Sequence, residues 1–232
     1  MQNTNAPRFI FSAYANSVGA VIQQPAKAFL ADAPSAAIQV TGGLSSHSKE
    51  NVSLSIESHQ VLRAGRVSAT VHGEQRGNNF VTLATATVEK LNILDVITAD
   101  AVVSRVTSVF PADGNRAERL KSEFHGARFY LAGSYFDNLK IAGKMIEFKT
   151  KGPYDARDGF LIKKADIKHE SLIADECRQA NILNIPEFGI IHLGQIDIYS
   201  EKVILTMVRV ELGCPFAGKA NVACASTNGV DG

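Results

Sequence analysis

The chain has 232 residues, 45% of them hydrophobic, with 24 Lys and Arg against 23 Asp and Glu and a mean hydropathy of zero. Such a composition supports a sizeable core and excludes both a disordered segment and a basic protein that captures nucleic acid through its overall field. No uninterrupted apolar run reaches the roughly 18 residues a membrane-spanning helix needs.

The N-terminal stretch MQNTNAPRFIFSAYANSVGAVIQQP carries one Arg, and Ser, Asn and Gly interrupt its apolar region. That is a poor secretory signal, so the expectation from this end is a cytoplasmic chain or one exported without a signal. From Asn51 to Val88 the pattern is strict alternation. Val52, Leu54 and Ile56 alternate with Ser53, Ser55 and Glu57, and Val67, Ala69 and Val71 with Ser68, Thr70 and His72; Val81 and Leu83 extend the apolar face towards Val88. A period of two with a Ser/Thr outer face predicts a meander of about three antiparallel strands, each buried on one side. The breaks at Ala64-Gly65-Arg66 and between Gly73 and Asn78 are read as its hairpin turns.

Val88 to Phe110 predicts two more strands turning near Asp95. A loop follows at Pro111–Asn115, then a short helix over Arg116–Glu123. Strand character returns from Ala127 with Phe129 and Leu131. Lys151–Gly159 reads as a second loop, Phe160–Lys168 as a strand and Ser171–Leu183 as an amphipathic helix whose apolar face includes Cys177. Gly189–Ser200 and Lys202–Leu212 form a closing hairpin, with Ile196, Ile198, Val203, Leu205, Val208 and Val210 inward. The reading is one all-β domain over residues 1–212, most simply a two-sheet antiparallel sandwich with one or two short helices, followed by an irregular tail over 213–232. A β-solenoid is the alternative architecture.

One pattern repeats after 48 positions: VEKLNILDVITAD from Val88 returns as FDNLKIAGKMIEF from Phe136. The apolar residues are spaced by three and then by two, which fits neither a helix nor an unbroken strand. A strand with a bulge or corner near residues 89–90 and 137–138, running through Leu-x-Ile to a turn at Asp95 or Gly143, satisfies it. Two such units side by side would bury Leu91 against Leu139 and Ile93 against Ile141. The shared residues are those of a core, and the polar ones differ between copies.

Chemistry-bearing residues are sparse, and no catalytic residue is assigned. Gly43–Ser48 places Ser45 near His47 without a nucleophile-elbow pattern, which fits a polar turn. His47, His59 and His72 recur at intervals of 12 and 13 but read as surface histidines rather than a metal site. His169, Glu170, Asp175, Glu176 and Cys177 form the densest group of acid, base and ligand types; a Cys177–His192 thiol–imidazole pair can be posed, yet Cys177 falls on the apolar helix face. Cys177, Cys214 and Cys224 are too few for a disulfide framework, and free thiols are expected. No phosphate-cradling glycine motif occurs, so no cofactor is expected.

The segments VEKLNILDVITADAVVSRVTS, SYFDNLKIAGKMIE and LTMVRVELGCP together resemble uncharacterised bacterial β-rich proteins, among them the choice-of-anchor P family of extracellular proteins. The resemblance covers Val67–Phe148 and Leu205–Pro215. It implies a β-rich exported protein and transfers neither an activity nor a functional residue, and a surface anchor is not among the expectations. The resulting expectation is a non-catalytic binding or structural module of an exported bacterial protein, with a protein, a glycan or a second copy of the chain as partner. Two rivals remain: a hydrolase of unknown substrate, and a β-pore-forming toxin whose membrane hairpins would carry Val52, Leu54, Ile56, Val81 and Leu83.

Overall fold

A computed structural model describes residues 9–112, 127–146, 182–199, 202–228 and 230–231. Alternation dominates these segments, and the backbone answers with two antiparallel sheets packed face to face, as expected. The first sheet contains β5 (Gly43–Ile56), β6 (His59–Arg76), β7 (Asn79–Ile93), β8 (Ile97–Pro111), β9 (Arg128–Tyr130), β10 (Tyr135–Asp137), β11 (Lys140–Ile141) and β12 (Lys144–Met145). Its order is β12-β11-β8-β7-β6-β5, and β9 and β10 pair with β8. The second contains β2 (Ala13–Ile22), β3 (Ala28–Leu30), β4 (Ser35–Ala37), β13 (Ile182–Ile185), β14 (Gly189–Ile198), β15 (Lys202–Leu212) and β16 (Gly218–Asn228), in the order β13-β14-β15-β16-β2-β3 with β4 beside β2. A short pair, β1 (Phe9–Ile10) with β17 (Val230–Asp231), joins the two ends of the described chain.

Several expectations need correction. Gly65 is no hairpin turn: β6 runs through it, and the turn lies at Glu57-Ser58, where Glu57 takes a φ of 55°. The second turn is at Gly77-Asn78, inside the predicted break. The tail 213–232 is not irregular, because β16 is an inner strand between β15 and β2 with Ala220, Val222 and Ala225 buried. The apolar N-terminal stretch likewise forms β2, which pairs with β16. Ile198, expected inward, is exposed at the end of β14. On β7 the core face is Phe80, Thr82, Ala84, Ala86 and Val88, which puts Val81 and Leu83 on the opposite face. An Ala-Thr run reads equally well in either phase; Phe80, stacked on Phe9 with ring centroids 4.5 Å apart, fixes it. The helix candidates at 116–123 and 171–181 and the strand at 160–168 lie outside the described residues, and Ile182 and Leu183 open β13. Antiparallel pairing throughout the described ladders also replaces the solenoid alternative.

The repeat has a plain structural meaning. Glu89 and Asp137 both pair with Ala101, Asn92 and Lys140 both with Thr98, and Ile93 and Ile141 both with Ile97. The two copies therefore flank β8 at the same height and run parallel to one another. Leu91, Ile93, Leu139 and Ile141 are all buried, as expected, but β8 stands between the copies, so they do not stack side by side. The expected bulges are absent, since pairing keeps its register through both positions; a corner is made instead by left-handed residues, Lys90 with φ 53° and Asn138 with φ 48°. The expected turns are equivalent too: Leu94-Asp95 has φ 50° and 56°, and Ala142-Gly143 has φ 50° and 75°.

These left-handed corners belong to a line that crosses the sheet. Asn51 (φ 56°) faces Gly65 between the pairs Glu50↔Arg66 and Val52↔Ala64; Gly65 faces Lys90, and Lys90 faces Asp100, itself bonded to Asn138. A Cβ on Gly65 would come within 3.3 Å of the Lys90 side chain, so glycine lets the strands close up there. Pairing keeps its register across the line, yet the inward residues change from odd to even or back: Ala64 to Val67, Val88 to Leu91, Ala99 to Val102. The result is a crease, with the core unbroken beneath it.

A second crease crosses the other sheet through Ser17, Ala223 (φ 51°), Met207 and Gly194 (φ 59°). Here the inward residues step from Ala15 to Val18, from Leu205 to Val208 and from Val222 to Ala225. Two bonds tie the sheets together nearby, the first of them buried: Ser104 Oγ donates to the Leu205 carbonyl at 3.0 Å, and Ser17 Oγ to the Ser68 carbonyl at 2.6 Å. A single cluster of buried hydrophobic side chains spans both sheets.

Candidate functional site

The crease of the first sheet determines which side chains its outer face presents. Two residues beyond it on each strand, the register sets Ser53, Arg63, Asn92, Thr98 and Lys140 in a continuous row of direct partners, one from each of five neighbouring strands. On the inner side of the same segment are Val52, Ala64, Leu91, Ala99 and Leu139, all buried. The row is thus held from below by the core, and strands in one sheet stand about 4.8 Å apart, so it extends about 19 Å. The crease itself adds Asn51, Lys90, Asp100 and Asn138, all exposed.

Two adjoining recesses lie over these rows. One, of about 350 Å³, is lined by Asn51, Ser53, Gln60, Arg63, Gly65 and Lys90, among others. The other, of about 310 Å³, is lined by Arg63, Lys90, Asn92, Thr98, Asp100, Asn138 and Lys140, among others. Arg63 and Lys90 border both, so the recesses form one shallow groove running across the strands. Three cations and one carboxylate line it, and Asn138 Nδ2 donates to that carboxylate, Asp100 Oδ2. Asn92 is held by the turn beyond it: its Nδ2 donates to Asp95 Oδ1 at 2.7 Å, and the Asp95 N–H donates back to Asn92 Oδ1 at 2.9 Å. Among the described residues none of Arg63, Lys90 and Lys140 is in an ion pair, and none of the groove's lining residues is aromatic.

The outer face of the second sheet is also polar, but its groups are occupied with one another. Arg209 donates to Glu211 at 2.7 Å and to Gln195 at 3.4 Å, Gln195 donates to Asp197 at 2.9 Å, and Lys219 lies 3.9 Å from Glu211. Tyr14 donates to Asp32 at 2.9 Å; burial first, and then that hydrogen bond, push its phenol up to about 12. His192 is shifted down by burial and then by Arg209, its cross-strand partner. A recess of about 530 Å³ there is lined by Phe29, Asp32, Glu211 and Lys219 among others. Paired charges of this kind make a stable surface and leave little for a ligand to neutralise.

The residues singled out from sequence are scattered. Ser45 and His47 stand two positions apart on β5, about 7 Å by strand rise, beyond direct proton transfer. His47 pairs with Ala69, three rungs from His72, while His59 sits 13 residues before His72 on the same strand, about 43 Å along it. The three histidines are therefore not brought together. His169, Glu170, Asp175, Glu176 and Cys177 lie outside the described residues, and with them the Cys177 half of the posed pair with His192. Cys214 and Cys224 are free thiols; burial pushes that of Cys224 up, and Thr206 Oγ1 lies 3.6 Å from its sulfur. The membrane-hairpin candidates divide between faces: Val52, Leu54 and Ile56 are in the core, and Val81 and Leu83 are on the outer side. Among the described residues, no helix is long and apolar enough to cross a membrane.

Sequence reasoning missed Arg63, Lys90, Asp100 and Lys140 as a group, although it located the corners at or beside two of them. The signal was the three-residue apolar gap. It occurs at Ala64–Val67 and Ala99–Val102 as well as in the repeat, and each gap marks one strand's passage through the crease.

Fold and site together define an antiparallel β-sandwich with a polar groove on one outer face. Residues 9–164 match the family model described as Domain of unknown function (DUF8256), and the chain belongs to that family. The match contains every lining residue of the groove. No curated protein and no solved structure matches the chain.

Proposed function

We propose that this protein is a non-catalytic binding module of an exported bacterial protein, and that the creased outer face of its first sheet holds an anionic ligand. The observation that carries the reading is the set Arg63, Lys90 and Lys140, gathered from three strands around one groove, none of them in an ion pair among the described residues. A core-backed sheet spares the ligand the cost of ordering the backbone, leaving about 0.5–1.5 kcal/mol for each Lys or Arg side chain it immobilises, and several cations acting on one anion exceed what each contributes alone. The amides of Asn51, Gln60, Asn92 and Asn138 add neutral donors and acceptors that orient a polar ligand. The export part of the proposal draws on the resemblance of the repeat region to extracellular bacterial proteins.

Calorimetric titration of the intact chain with polygalacturonate, against neutral dextran as control, tests it. Binding to the polyanion is expected to weaken as salt rises, and Arg63→Ala or Lys140→Ala should each weaken it about tenfold without moving the melting temperature. Equal binding by both variants and the parent would remove the groove from consideration.

A further inference from the structure

Resting on that reading, we infer that the ligand is a linear acidic polysaccharide lying across the strands, with about one sugar over each. The groove's long direction is that of the rung Ser53, Arg63, Asn92, Thr98 and Lys140, perpendicular to the strands. Along it, side chains able to hydrogen bond or pair with charge recur at the strand spacing of about 4.8 Å. A sugar in an extended 1,4-linked chain advances by close to that spacing, so successive residues meet successive side chains in step. Arg63 and Lys140 are three strands apart, about 14 Å, and Lys90 stands on a strand between them, two residues or about 7 Å from the row. A single small anion engages one end of such an arrangement, whereas a chain with recurrent carboxylates engages both.

The same geometry disfavours other polymers. An extended peptide is held chiefly through main-chain hydrogen bonds at a sheet edge. Here the surface is a sheet face, whose backbone groups are already paired in the ladder, and only side chains are on offer. Single-stranded nucleic acid is gripped by stacking its bases on aromatic rings, and among the described residues none lines the groove. Neutral sugars rely on aromatic platforms as well, so carboxylates facing cations and hydroxyls facing amides leave acidic sugars as the complementary class.

Oligogalacturonides from dimer to octamer, titrated separately into the intact chain, test this inference. Affinity should climb with length up to about five or six sugars, the span of the row, and then level off. For the hexamer, Arg63→Ala and Lys140→Ala should each cost about tenfold; for the dimer, too short to bridge both, the double variant should lose little more than the more damaging single one. If citrate or the dimer binds as tightly as the hexamer, the polysaccharide inference falls and anion binding at the groove stands. Length-dependent binding of oligothymidylate or polyglutamate without binding of oligogalacturonides likewise overturns the inference alone. Failure of every polyanion, polygalacturonate included, overturns both.

Discussion

The two creases are one backbone device put to two uses. In the second sheet the crease residues Ser17, Met207 and Ala223 are fully buried, and the Ser17 and Ser104 hydroxyls bond backbone carbonyls across the interface between the sheets. In the first sheet the crease residues Asn51, Lys90, Asp100 and Asn138 are polar and exposed, and they border a groove. A left-handed residue in a strand is thus no functional mark by itself. What separates the two is what the crease presents: in one sheet sealed contacts between layers, in the other three cations and one carboxylate on a supported face.

The comparison can be broken from its strongest point downwards. If both creases rest on one core, Leu139→Ala beneath the first and Leu205→Ala beside the second should each cost about 2 to 5 kcal/mol, with a single cooperative urea transition in both. Two separate transitions would show that the sheets are independent. A β-branched residue at a left-handed position should hurt more where it is buried: Ala223→Val is expected to lose about 2 to 3 kcal/mol and Lys90→Val about 1 kcal/mol. Equal losses would mean that burial is not what distinguishes the creases. Ser104→Ala strips the Leu205 carbonyl of a buried donor and should cost about 1 to 2 kcal/mol, whereas Asn138→Gly, at an exposed position with φ 48°, should stay within about 0.5 kcal/mol of the parent.

The smallest effect is in pH. Tyr14 is raised from 10.0 to about 12, first by burial and then by Asp32, so the native state keeps a proton that the unfolded chain has lost between those values. Stability should therefore decline as pH rises from about 10 to about 12, and Tyr14→Phe should flatten that slope. A parent and variant with the same denaturation profile through this window would place the Tyr14 phenol in an ordinary environment.

How much could be read beforehand differed between regions for a physical reason. Where alternation is strict, as from Val67 to Val71, a single face is apolar and the strand announces itself. β2 and β16 were missed because each changes phase partway: Ala13 and Ala15 give way to Val18, Ala20 and Ile22, and Ala220 and Val222 to Ala225. A half-buried strand that changes phase looks irregular to any test for a period of two. The repeat escaped this because two copies of the same gap drew attention to it. The groove could not be reached in that way, since Arg63, Lys90 and Lys140 are far apart in the chain and a net charge of +1 conceals a local excess of cations.

The sequence by itself determined that the chain is built of antiparallel strands, that Leu91, Ile93, Leu139 and Ile141 are core, and that Asp95 and Gly143 turn alike. These follow from local chemistry: alternation, spacing and the conformational preferences of turn residues. Only the tertiary structure decided that β16 and β2 pair at the centre of a sheet and that the two copies share β8. The creases then align strand by strand, because register is a relation between distant segments, set when two sheets bury one core together. That register places Arg63 beside Asn92 and Lys140 beside Thr98, and the groove exists through it alone.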